Sequence, residues 1–326
     1  MSKDIKRIAV FTSGGDAPGM NAAVRAVVRT AAYYDLHVYG IYGGYEGMIK
    51  GNIKRLEKGD VANIIQHGGT FLKTARSMEF KTEEGRSLAY DSLMAHDIDA
   101  CVAIGGDGTY TGANVFTQTY DIPFIGLPGT IDNDIYGTDF TIGYDTAINT
   151  AVEAMDKIRD TAHSHNRLFF VEVMGRHAGY IALNTGIGTG ARYTFLPEVD
   201  NPLEHLVQLL QKSSKRNKLF NLVVVAEGNK SGDAMTIAQQ MKEEYDIDSK
   251  VTIIGHLQRG GSPTAFDRVL SSRLGYSAVK ALMEGKKNMA LGLVDNQISY
   301  TTFADAISKK KTINADLIEM SEILSI

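Results

Sequence analysis

Short aliphatic and β-branched runs recur along the chain, separated by segments whose apolar positions return every three or four residues. The runs predict strands at 7–12, 37–42, 100–104, 124–127, 168–173, 221–226 and 251–254. Within 21–32, Val24, Val27, Val28 and Ala31 fall at i, i+3, i+4 and i+7, one face of a helix. Arg25 and Arg29 then share another face, one turn apart. Ile148, Ala151, Val152, Met155 and Ile158 repeat the helical pattern within 146–161. Strands alternating with helices predict an α/β chain with doubly wound architecture and largely parallel sheets. Ligands of such folds bind beyond the carboxyl ends of the strands. Four of the predicted strands run there into polar or glycine-rich turns: Ser13-Gly14-Gly15-Asp16, Gly105-Gly106-Asp107-Gly108-Thr109, the stretch from Pro128 to Asp134, and the stretch from Gly255 to Ser262.

The length of 326 residues suits two α/β lobes, or a large lobe with a smaller one. No Pro/Ser-rich linker or internal repeat divides the chain, so it is expected to cross between lobes more than once. The 33 glycines make up about one residue in ten against a typical ~7%, and they gather in loops, as backbone that approaches a ligand closely requires. The net charge is −4 (34 basic against 38 acidic residues), and the longest basic run is Lys309-Lys310-Lys311. That balance argues against a nucleic-acid partner. The single cysteine, Cys101, allows no disulfide within the chain and suits a reducing cytoplasm; its apolar neighbours read as a buried strand. The polar start Ser2-Lys3-Asp4 does not read as a signal peptide. No apolar run reaches the ~18 residues of a membrane helix, so no membrane span is expected.

Familiar nucleotide motifs are missing. Gly285-Lys286 is followed by lysine and is no P-loop, and Gly188-x-Gly190 lacks the third glycine of a dinucleotide fingerprint. Gly105-Gly106-Asp107-Gly108-Thr109 can serve as a different phosphate cradle, with backbone N–H groups converging on oxygens and Asp107 on Mg²⁺. It reads equally well as a tight turn with Asp107 as a helix cap. Pro128-Gly129-Thr130-Ile131-Asp132-Asn133-Asp134 places two carboxylates two apart, a base with an orienting partner or a pair of capping aspartates. Gly255-His256-Leu257-Gln258-Arg259-Gly260-Gly261 sets an imidazole and a guanidinium three apart, both able to donate to a phosphate or to pair with acidic neighbours such as Asp267. Met174-Gly175-Arg176-His177 adds an arginine at another strand end, and Arg167 precedes that strand. His163 and His165 read as a solvated helix terminus. Phosphate sites, a metal carboxylate and a base together describe phosphoryl transfer from a nucleotide to a phosphorylated acceptor.

In order along the chain, Thr12-Ser13-Gly14-Gly15-Asp16-Ala17-Pro18-Gly19-Met20-Asn21, Gly105 to Thr109, Pro128 to Asp134, Val171 to Arg176 and Gly255 to Ser262 resemble the bacterial ATP-dependent 6-phosphofructokinase family. The resemblance runs from about residue 5 to about 310; a Gly-Gly-Asp-Gly loop alone occurs in lipid and NAD kinases, whereas the five stretches together are specific. It implies transfer of the γ-phosphoryl of ATP to the 1-hydroxyl of fructose 6-phosphate, in glycolysis. Gly15, Arg76, Ser77, Gly106, Asp107, Gly108 and Thr109 would line the ATP site, with Asp107 on Mg²⁺ and Arg76 against the moving phosphoryl group. Asp132 would be the base, supported by Thr130 and Asp134 and flanked by Ile131. Met174, Gly175, Arg176 and Glu227 would hold the sugar. His256, Leu257, Gln258 and Arg259 would lie at its 6-phosphate, joined by Arg167 and Lys250 of a neighbouring subunit. The shared site implies a homo-oligomer, in this family a tetramer. The ATP-binding lobe is expected at 1–142 plus 256–308, and the sugar-phosphate lobe at 143–255 plus 309–326.

Relatives that use pyrophosphate carry aspartate where Gly108 stands and lysine where Gly129 stands, so glycine at both favours ATP. A pyrophosphate-dependent enzyme and a non-catalytic nucleotide-sensing subunit are the alternatives; the intact set Asp107, Asp132, Arg76 and Arg176 speaks for catalysis. The chain also departs from the family. Lys250 and Lys81 replace arginines. In the family's effector site, Arg25, Arg29, Lys58, Arg159, Arg216 and Lys218 keep the cationic pattern. Arg192, however, stands where a metal-binding glutamate is expected, and Phe220 where a polar residue is common. Weak or absent activation by ADP is the expectation.

Overall fold

The computed structural model describes residues 5–165, 167–214 and 221–325. The chain opens with β1 (Arg7–Thr12), α1 (Met20–Tyr33), β2 (His37–Ile41), α2 (Gly44–Ile49), β3 (Ile53–Leu56) and α3 (Glu83–Met94). It continues through β4 (Ala100–Gly105), α4 (Asp107–Thr119), β5 (Phe124–Pro128), α5 (Tyr144–His165), β6 (Leu168–Val173), α6 (Tyr180–Thr189) and β7 (Tyr193–Phe195). After these come α7 (Leu203–Ser214), β8 (Asn221–Ala226), α8 (Ala234–Tyr245), β9 (Ser249–Ile253) and α9 (Ala265–Met283). The last elements are β10 (Met289–Val294), β11 (Gln297–Thr302), α10 (Phe303–Ser308) and α11 (Ala315–Leu324). Two compact units result. The first comprises Met1–Thr130, Ile135–Asp145 and Arg259–Lys311, and the second Ile131–Asp134, Thr146–Gln258 and Thr312–Ile326.

The first unit holds a seven-stranded sheet in the order β11-β10-β5-β4-β1-β2-β3. Its interior pairings are parallel, and only the edge strands β3 and β11 run antiparallel. Both faces are covered. Ala9 and Phe11 of β1 enter a core with Leu93 of α3, Phe116 of α4 and Phe303 of α10. Ile8 and Val10, also fully buried, point to the opposite face by the alternation of a strand, where α1 and α9 contact the sheet. Coverage on two sides is why β1 and β4 read as continuous apolar runs. α1 and α9 approach so closely that a Cβ on Gly275 would stand 2.7 Å from the carbonyl oxygen of Ala23.

The second unit holds a parallel four-stranded sheet, β7-β8-β6-β9. Phe170, Val223 and Val225 pack there against Leu206 of α7 and Ile237 and Met241 of α8. The predicted strands at 7–12, 168–173 and 221–226 coincide with β1, β6 and β8; β2, β4 and β5 differ by one residue at one end, and β9 by two residues at its start and one at its end. β3, β7, β10 and β11 are not among the predicted strands, although β10, Met289–Val294, is itself an apolar run. Three of them are sheet edges, where one neighbour is missing and polar residues are tolerated, as in Ile53-Lys54-Arg55-Leu56. Cys101 is buried in β4, and burial pushes its thiol up, away from reactivity. Among the described residues, no helix is long and apolar enough to cross a membrane.

Candidate active site

In the first unit three parallel strands end side by side. β1 leads into Ser13, whose N–H donates to the Ile104 carbonyl at 2.9 Å, and then into Gly14 with φ +84°. β4 ends at Gly105, which accepts the N–H of Gly129 beyond β5 at 3.0 Å. A side chain at Gly105 would run into the Ser13 carbonyl and the Thr109 hydroxyl, so this glycine is required by the contact between loops. At Gly108, by contrast, no atom lies within 4 Å of where a Cβ would stand.

Gly106 is the N-cap of α4, and no side chain caps that helix. Asp107 is its first residue, at the positive end of the helix dipole. Side chains cap α3, α8 and α9 (Thr82, Asp233 and Thr264), whereas α1, α2 and α6 begin, like α4, on a glycine without one. The start of α4 is thus a helix N-terminus that no side chain caps, the kind of end that receives anions. The Thr109 hydroxyl is buried there without a hydrogen-bond partner. Such a group is costly unless a ligand or water meets it. The turn is braced from below by the Tyr45 hydroxyl, which donates to the Thr109 carbonyl at 2.6 Å.

Gly15 faces the Arg259 guanidinium, which donates to the Asp16 carbonyl at 3.2 Å. Arg76 is exposed, while the Ser77 hydroxyl accepts the N–H of Phe80, within the 3₁₀ turn at Glu79–Lys81, at 3.2 Å. Thr130 is buried, with its carbonyl accepting from the Thr141 hydroxyl at 2.6 Å. The sequence flagged neither Tyr45 nor Thr141. Each acts on a residue distant in the chain, and no local pattern marks such a pair.

The second unit holds the aspartate segment. Asp132 is 3% exposed, and its Oδ2 lies 3.8 Å from Nε of Arg176. Ile131 is buried and Asp134 exposed. Arg176 has φ +52°, a left-handed conformation unusual for a residue with a Cβ, and it follows Gly175 at φ +149°. The turn is held from two sides. Oε2 of Glu227 accepts the N–H groups of Gly175 at 3.3 Å and Arg176 at 3.1 Å. Oε1 of Gln258 accepts the N–H of Met174 at 2.8 Å. Gly228 must lack a side chain, because the Arg176 carbonyl occupies that place. The Tyr180 phenol nearby is pushed up to about 12, first by burial and then by Glu198 and Asp134.

His256 and Leu257 are exposed on the 3₁₀ turn at Gly255–Arg259. Arg167 and Lys250 are also exposed and line one surface cavity of about 260 Å³ with Asp248 and Ser249. They meet because β6 and β9 are neighbours in the sheet.

The candidate effector cations within the described residues are divided between the two units. Arg25 and Arg29 stand one turn apart on α1; burial and the charge of Arg29 lower the affinity of Arg25 for its proton. Lys58 is exposed beyond β3. In the second unit Arg159 donates to the Thr189 carbonyl. Arg192 donates to the Leu209 carbonyl at 3.1 Å and to the carbonyl of Ser325, the C-cap of α11. Arg216, Lys218 and Phe220 lie outside the described residues.

Comparison with known proteins places this geometry. The family model described as Phosphofructokinase matches residues 7–282. ATP-dependent 6-phosphofructokinase 2 of Bacteroides thetaiotaomicron is 54% identical over 323 residues, covering 99% of both chains. ATP-dependent 6-phosphofructokinase 1 of Thermus thermophilus is 52% identical over 322 residues, 99% of this chain and 100% of the relative. Among solved structures, phosphofructokinase from Saccharomyces cerevisiae superposes with a TM-score of 0.89 at 39% identity, and this chain, matched over 98% of its length, spans 48% of the yeast chain. The pyrophosphate-dependent phosphofructokinase of Marinobacter aquaeolei has a TM-score of 0.84 at 23% identity, over 96% of this chain and 86% of that one, a likeness of fold.

Proposed function

The chain belongs to the phosphofructokinase family, and from that premise we propose that it transfers the γ-phosphoryl group of ATP to the 1-hydroxyl of fructose 6-phosphate, forming fructose 1,6-bisphosphate and ADP. The carrying observation is that relatives matching it from end to end are named for the ATP-dependent reaction.

The second unit supplies a base. Asp132 takes the proton of the 1-hydroxyl as that oxygen attacks. Its burial keeps water from competing, and the Arg176 guanidinium beside it steadies the carboxylate and the incoming sugar. Thr130 and Asp134 flank this carboxylate in the chain and support it. Met174, Gly175, Arg176 and Glu227 hold the sugar, and His256 and Arg259 grip its 6-phosphate.

The first unit receives the nucleotide phosphates at the start of α4, where the backbone of Gly106 and Gly108 and the buried Thr109 hydroxyl offer donors and room. Gly15 and Ser77 complete that site, and the exposed Arg76 neutralises charge on the phosphoryl group in flight. Among the described residues no group of three or more His, Cys, Asp or Glu forms a metal cage. One carboxylate beside open space nonetheless fits Mg²⁺, which takes one or two carboxylates and fills its shell with phosphate oxygens and water. Asp107 would hold it, and when bound it would offset the charge of the triphosphate.

Arg167 and Lys250 act on the 6-phosphate bound by a neighbouring subunit of a homotetramer; their exposure and their shared cavity support that reading. Lysine keeps the charge there and loses the bidentate fork of arginine. Lys250→Arg is therefore expected to lower the KM for fructose 6-phosphate by roughly threefold, the size of a gain at a solvent-exposed ion pair. An unchanged KM would show that the missing fork costs no affinity for the sugar phosphate.

The function itself is tested in a coupled assay with fructose 6-phosphate and Mg²⁺, run with ATP and with pyrophosphate side by side. Turnover with ATP alone is the expected result. Turnover with pyrophosphate overturns the assignment of the donor, and none with either overturns the reaction.

A further inference from the structure

Gln258 sits in the His256-Leu257-Gln258-Arg259 stretch, whose resemblance assigns all four residues to the sugar phosphate, yet its environment sets it apart. His256 and Leu257 are exposed, Leu257 at 71%, whereas Gln258 is 0% exposed. Both ends of its amide are already engaged. Oε1 accepts from the Met174 N–H at 2.8 Å, and Nε2 donates to the Ala147 carbonyl at 3.3 Å. A peptide N–H can only donate and a carbonyl can only accept, so these partners fix the orientation of the amide.

We infer that Gln258 is a positioning residue: it does not touch the sugar phosphate but sets the turn that does. The inference rests on the phosphofructokinase reading above. Three successive N–H groups of the turn, those of Met174, Gly175 and Arg176, are taken by only two side chains, Gln258 and Glu227. Arg176 holds a left-handed backbone, which a residue with a Cβ keeps only where its surroundings impose it. Gln258 anchors the start of that turn to Ala147 in the first turns of α5, and Glu227 anchors its end. The direction in which Arg176 leaves the backbone, toward Asp132, depends on both anchors. Losing the Gln258 anchor frees the Met174 N–H and lets the turn relax, with Arg176 drifting from its place. The effect belongs to the sugar side alone, because every partner of Gln258 lies in the second unit.

Two variants test this. Gln258→Met keeps the volume and removes both hydrogen bonds. The expected result is an about tenfold rise in KM for fructose 6-phosphate, the size of one buried hydrogen bond. The KM for ATP stays within about twofold, and amide exchange quickens in the peptide spanning 174–176. In Gln258→Glu a protonated carboxyl can reproduce both bonds, accepting from Met174 and donating to Ala147. Burial raises the pKa of such a carboxyl. The sugar KM of this variant, divided by that of the unaltered enzyme at the same pH, is therefore near one at low pH and rises as pH increases.

A lowered Tm with neither a sugar-specific KM change nor this pH dependence reduces Gln258 to a packing residue and overturns the inference. So does an equal rise in both KM values, or an unchanged amide exchange. If the unaltered chain does not phosphorylate fructose 6-phosphate at all, the reading of function has failed and the inference falls with it. If the unaltered chain is active and Gln258→Met matches it, only the inference has failed.

Discussion

Asp132→Asn is expected to lower kcat by about 10³-fold, within the range that a positioned general base contributes, and to leave both KM values within a few-fold of the unaltered enzyme. Asparagine matches aspartate in shape, so a residue 3% exposed can be exchanged without opening a cavity. The amide can still accept a hydrogen bond from the sugar hydroxyl or from Arg176, but it cannot take up a proton. Ground-state binding therefore survives while the transition state loses its acceptor, and a loss confined to kcat is the signature. The Arg176 side chain is 63% exposed, so the cation left behind by the substitution remains solvated and the fold is not expected to fail. Initial rates over both substrates, with Tm as a control, decide the matter. A kcat within tenfold of the unaltered enzyme would show that another group takes the proton.

Gly108→Asp is expected to raise the KM for ATP by about a hundredfold while Tm hardly changes. The position is open in the protein itself: nothing lies within 4 Å of where a Cβ would stand, and the backbone is not left-handed. Any penalty therefore comes from the ligand. A carboxylate placed about 5 Å from a phosphate oxygen, at an effective dielectric of ~20, opposes it by about 3 kcal/mol, which is a hundredfold in affinity. Gly108→Ala separates crowding from charge and is expected to show the smaller effect. An ATP KM unmoved by the aspartate would mean that the phosphates do not pass the start of α4. The companion glycine behaves differently. A Cβ on Gly129 would meet Cε of Met20 at 2.9 Å and the backbone nitrogen of Gly105 at 3.1 Å. A lysine there must first displace packed atoms, so the two glycines that separate the donor classes in sequence are not equivalent in structure.

Much of the molecule is legible without coordinates. β1, β6 and β8 announce themselves because they are interior strands with apolar neighbours on both sides. α1 is legible from Val24, Val27, Val28 and Ala31, all buried on one face. The loops at the ends of β1, β4 and β5 are legible from glycine, since only a backbone without side chains fits where Ser13, Gly105 and Gly129 meet. β3 and β11 are not, because an antiparallel edge strand needs few apolar residues. The roles within His256-Leu257-Gln258-Arg259 are not legible either. Adjacent residues of a 3₁₀ turn point in different directions, and only coordinates separate the buried amide from the exposed imidazole.

The effector cations mark the same boundary. Spacing along α1 is enough to place Arg25 and Arg29 on one face, because a helix converts a separation of four residues into adjacency. For Arg192 sequence position says nothing of direction; its guanidinium reaches the carbonyl groups of Leu209 in α7 and Ser325 at the end of α11. The sequence alone determined the α/β alternation, the strand-end loops and the family, since these depend on periodicity and on short motifs that are contiguous in the chain. Only the tertiary structure decided that Gln258 turns inward, that Glu227 collects the two N–H groups of a left-handed turn, and that Gly108 is open where Gly129 is closed. Those outcomes depend on which distant segments pack together, and packing is a property of three-dimensional neighbours that no local pattern records.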